Sequence, residues 1–60
     1  VKTKCVDKAG NVLRVYDYEM KQVLIGADFC IGQDLHVVLK ITRDEAGGFV
    51  VLEVVRKPTP

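Results

Sequence analysis

His36 is the only histidine in the chain, and Asp34 stands two residues before it. A histidine near a carboxylate can act as a general base or hold a metal ion. The rest of the sequence completes neither use. A triad needs a positioned nucleophile, and the chain contains no serine. A metal centre needs two or three further ligands, and only Cys5 and Cys30 offer soft ones, with no zinc spacing and no Cys-x-x-Cys pair. The carboxylates are scattered: Asp28 and Asp34 fall in turns, and Asp44 with Glu45 in a loop tip. Acid–base work by such groups needs a concave pocket that shifts a pKa, and a domain of this size leaves little room for one. The glycines at 10, 26, 32, 47 and 48 lead into no Lys-Ser or Lys-Thr, so no phosphate-cradling loop is present. His36 reads as a solvated surface residue, and the expectation is a protein that is not an enzyme and carries no metal or cofactor.

Binding chemistry has more material. A basic set, Lys2, Lys4, Arg14, Tyr16, Lys40 and Arg56, could hold a single nucleic-acid strand through phosphate contacts and base stacking. Nine Lys and Arg against eight Asp and Glu give a net charge of only +1, so no bulk attraction for nucleic acid or for an acidic membrane is expected. The second set is apolar. Val38, Phe49, Val51 and Val55, with Leu24 alongside, occupy outward positions that are too apolar for a solvated face. Contact with a second copy or another protein would cover them.

The elements that position these residues read as strands. Lys2 to Val6 and Val12 to Tyr16 flank Asp7-Lys8-Ala9-Gly10-Asn11, where Asp starts a turn and Gly10 closes it with a bulge. Leu35 to Thr42 alternates with period two, placing Leu35, Val37, Leu39 and Ile41 on one face and His36, Val38, Lys40 and Thr42 on the other. Arg43 to Gly48 reverses the chain. Phe49 to Arg56 follows and is apolar on both sides, broken only by Glu53, as suits a strand central in its sheet or covered by a second layer or partner. Asp28 to Ile31 reads as a short extended piece, and Gly32-Gln33-Asp34 as a tight turn. Residues 17–26 fit either a short helix capped by Asp17 or a turn followed by a strand over Gln22 to Ile25; the run Val23-Leu24-Ile25 favours the strand.

These spacings predict an all-β chain with room for one short helix, folded as a five-stranded antiparallel barrel or curled meander of the SH3-like or OB-like kind. Residues 1–57 form a single domain, and residues 58–60 a tail or linker, because Pro58 and Pro60 cannot donate to a ladder. An apolar fraction of 48%, mostly Val, Leu and Ile, gives an aliphatic core. Cys5 and Cys30 read as free thiols rather than a disulfide, and a cytoplasmic setting is favoured because nothing points to secretion. No run approaches the about 20 apolar residues of a membrane span, and Val1-Lys2-Thr3-Lys4 lacks a signal peptide's apolar stretch.

The stretch Ile31-Gly32-Gln33-Asp34-Leu35-His36-Val37-Val38-Leu39 resembles the Ile-Gly-Asp-Asp-Ile strand start of the carbon storage regulator family. That family consists of small RNA-binding proteins that form intertwined β dimers. The family's opening strand with its Leu-Thr-Arg segment is missing, and the hairpin from Cys5 to Tyr16 has no counterpart there. None of its RNA-contacting residues is carried over. The expectation from the residues themselves is a small β interaction module that self-associates or binds another protein through an apolar sheet face. Single-stranded nucleic-acid binding is the alternative.

Overall fold

The computed structural model describes residues 1–58. Five strands, β1 (Lys2–Val6), β2 (Val12–Tyr16), β3 (Asp28–Ile31), β4 (Asp34–Asp44) and β5 (Phe49–Arg56), form one sheet in the order β2-β1-β5-β4-β3. The sheet curls into a half-barrel, and none of the described residues is helical.

Local chemistry builds the first hairpin. The Asp7 carboxylate accepts the backbone N–H groups of Ala9 and Asn11, each at 2.9 Å, and Gly10 takes a left-handed φ of 89° that a β-carbon would strain. Asp34 to Asp44 and Phe49 to Arg56 pair through the Gly-rich reversal, and β3 pairs with the start of β4. All three of these pairs are antiparallel. The sheet as a whole is mixed, because β1 runs parallel to β5, with Thr3 opposite Val50 and Cys5 opposite Leu52. The expected purely antiparallel sheet is therefore corrected. Turn chemistry reports only neighbours in sequence, whereas β1 and β5 meet from opposite ends of the chain.

Strand β5 is central, as its two-sided apolar character requires. Val50, Leu52 and Val54 point to the concave face and, with Cys5 and Val38, make up the fully buried core. A bulge reshapes β4: Val38 faces Val54 and Lys40 faces Glu53, so Leu39 is left without a partner. One extra residue reverses the alternation on either side of it. His36, Val38 and Ile41 consequently share the concave face, and the uninterrupted alternation expected for this strand is corrected. His36 is only 7% exposed rather than solvated, and Val38 is 0% exposed rather than outward.

Residues 17–27 are neither helix nor strand, which corrects both readings of that segment. They cross the concave face as an irregular cover. The buried Thr3 hydroxyl donates to the Tyr18 carbonyl at 2.7 Å and accepts the Met20 N–H at 2.9 Å. Met20 and Val23 then pack on the core. A side chain supplies these two backbone groups with the bonds that a helix or ladder would otherwise provide.

Candidate functional site

Two surfaces remain once the core is filled. The first is the part of the concave face that the 17–27 segment leaves open. A groove of about 560 Å³ lies there, between the tip of the first hairpin and the start of β4, with Leu13, Val54 and His36 among its walls. The His36 Nδ1 lies 3.0 Å from the carbonyl oxygen of Asp34. A carbonyl can only accept, so Nδ1 is the donor in this contact. At the rim, Arg56 pairs with Asp34 at 3.2 Å, with both side chains about half exposed or more. The Asp7 carboxyl is held below its ordinary pKa, first by the Asn11 backbone N–H and then by the Asn11 side chain. Both rim acids are thus engaged in holding the scaffold. The Cys5 thiol is pushed up by burial in the core, and Cys30 is exposed on β3. These two cysteines lie on opposite faces and three strand spacings apart, roughly 14 Å, which is too far to bridge. Among the described residues, no cluster of three or more metal-ligating side chains occurs.

The second surface is the outer, convex face. Residues directly opposite on paired strands share a face. Phe49 lies opposite Lys2, Val51 opposite Lys4, and Lys4 opposite Val15. Val6 lies opposite both Glu53 and Val12, and Val55 opposite Val37. The outer face therefore carries a valine-rich field from β2 to β4, with lysines and Glu53 set among the valines. Val12, Val15 and Val55 remain 53%, 49% and 37% exposed. The Lys4 ammonium sits 4.7 Å from the centre of the Phe49 ring, a cation–π contact that lays its aliphatic stem along the same surface.

Three of the four apolar residues singled out from sequence, Phe49, Val51 and Val55, come together here. Val38 lies on the other side of the sheet, in the core, because of the Leu39 bulge. Leu24 is exposed in the 17–27 segment and belongs to none of the five strands. Val6, Val15 and Val37 belong to the outer face but were not singled out. Val15 has a visible signal in its alternation with Arg14 and Tyr16, whereas Val37 was hidden by the bulge.

The basic set divides. Lys2, Lys4 and Lys40 lie on the outer face, where Lys40 is opposite Glu53. Arg14, Tyr16 and Arg56 lie on the concave face, opposite Cys5, Thr3 and His36. Arg14 stacks 5.5 Å from the Tyr16 ring, and burial raises the Tyr16 pKa. The structure does not bring these six residues onto one surface. Among the described residues, no helix is long and apolar enough to cross a membrane. No family model matches the chain, and no curated protein or solved structure matches it either.

Proposed function

We propose that this chain is a non-enzymatic interaction module that self-associates through the outer face of its curled sheet. The observation that carries the reading is a valine-rich outer face on which none of the described residues forms a second layer. Phe49, Val51 and Val55 lie on its central strand, and Val12 and Val15 extend it to the β2 edge. Contact with another copy of the same surface would displace water from such a face. The chain exposes 4300 Å² in all, against roughly 3,900 Å² for a compact monomer of its mass. Five buried apolar residues among those described are a small core, and domains of this size commonly gain stability from a partner.

Sedimentation of the unmodified chain alongside Val51→Lys tests the proposal. The expected result is a reversible dimer for the former and association weakened by at least about tenfold for the latter, with an unchanged β spectrum. A unmodified chain that sediments as a monomer at high micromolar concentration would overturn it. Nucleic-acid binding finds support only in Lys2, Lys4 and Lys40, which share the outer face with Glu53. That reading requires an affinity that falls steeply with salt.

A further inference from the structure

We infer that the free edge of β2 is a pairing site for β2 of a second copy, antiparallel about a two-fold axis through Val15. The half-barrel has two open edges, β2 and β3. They are not equivalent. Strand β3 begins with Asp28, whose carboxylate is held by Lys57 at 3.0 Å, and its Phe29 and Ile31 are partly buried against the core. Strand β2 has Arg14 as its only charge, no proline and no lysine, and Val12, Leu13 and Val15 all stand exposed along it. An edge with exposed apolar side chains and unpaired N–H and C=O groups is a template for another strand.

The register follows from geometry. Cys5 faces Arg14 and Val6 faces Val12, so Leu13 is bulged out and the regular part of the edge is Arg14 to Tyr16. A two-fold axis perpendicular to a sheet sets one residue opposite its own copy. Centring on Arg14 would oppose two guanidinium groups, and centring on Leu13 falls on the bulge. Centring on Val15 opposes two valines on the outer face and sets each Arg14 opposite the other copy's Tyr16 on the concave face. Within one copy Arg14 already lies 5.5 Å from a Tyr16 ring, so the pairing repeats a cation–π contact across the seam, twice by symmetry. This self-complementarity identifies the occupant as a second copy rather than an unrelated strand. The alternative of β2 against β3 of the next copy is heterologous and would propagate as an open filament rather than close on a two-fold axis.

The seam makes the outer faces of two copies continuous through the paired valines. A three-residue edge buries well under the roughly 800 Å² per partner of a standard interface, so the pairing is weak and concentration-dependent. The inference extends the self-association reading and rests on it only in that both require a second copy.

Amide hydrogen exchange of the unmodified chain across a concentration series tests it, together with Val15→Cys in a Cys30→Ala background. The expected results are exchange in Arg14 to Tyr16 that slows as concentration rises, and a disulfide-linked dimer on mild oxidation. A dimer in sedimentation whose β2 amides ignore concentration, with no cross-link through Val15→Cys, overturns the edge pairing and leaves the outer-face reading standing. A monomer at every concentration overturns both.

Discussion

Replacing Thr3 by valine removes one oxygen from a side chain that is 0% exposed and leaves its shape almost unchanged. That oxygen holds the Tyr18 carbonyl at 2.7 Å and the Met20 N–H at 2.9 Å. With valine in place, both backbone groups lose their partner where water reaches them poorly. Each partly buried group left unpaired costs about 1–3 kcal/mol, so the pair together costs about 2–6 kcal/mol. A domain of sixty residues has a total stability of about 3–9 kcal/mol, so this substitution removes a large share of it. Thr3→Ser keeps the hydroxyl and loses one methyl group, a cost of about 1 kcal/mol. Urea unfolding of the three proteins is the assay. The expected order of stability is threonine, then serine, then valine, with the Met20 amide exchanging fastest in the valine protein. A ranking by hydrophobicity alone puts valine first. Valine equal to or above serine would refute the claim that this hydroxyl pins the cover over the core.

The Asp7 carboxyl has a lowered pKa in the folded chain, so its contribution to stability is present above the ordinary carboxylate value and is lost as pH falls through the lowered one. Urea midpoints should therefore decline on acidification below about pH 4, and decline less for Asp7→Asn, which cannot ionise. Cys30 is exposed, whereas Cys5 is buried with a raised pKa. A thiol reagent should label Cys30 quickly in the native chain and Cys5 only after unfolding; equal rates would place Cys5 outside the core. Val51→Lys should give a folded chain whose association is at least about tenfold weaker, as read by circular dichroism and sedimentation together.

Much of the fold is legible in local chemistry. Asp7 and Gly10 announce the first hairpin, and the strands on either side carry β-branched and aromatic residues. The two apolar sides of Phe49 to Arg56 mark it as central, and it is flanked by β1 and β4. Three features lie beyond local reading. The parallel pairing of β1 with β5 joins residues from opposite ends of the chain, and no turn residue encodes it. The Leu39 bulge has no Gly or Pro to mark it, and a single unpaired residue was enough to carry His36 and Val38 from the outer face to the inner one. The segment over residues 17–27 has too little regular periodicity for helix or strand because its bonds are made to Thr3, fourteen or more residues earlier.

The candidate interface was legible to the same degree. Phe49, Val51 and Val55 lie on one strand with no bulge between them, so their period of two survives folding intact. Val38 did not join them because its strand is bulged. The basic residues come from several different strands, and their division between two faces depends on cross-strand register that composition does not carry.

Sedimentation equilibrium over a range of concentrations asks most directly whether one copy is enough. A mass that climbs reversibly toward twice that of the chain, and does so only at concentrations at least about tenfold higher with Val51→Lys, is the expected result. A mass that stays at the single-chain value throughout, in a chain that is folded, would mean that the valine-rich outer face is stable in water alone.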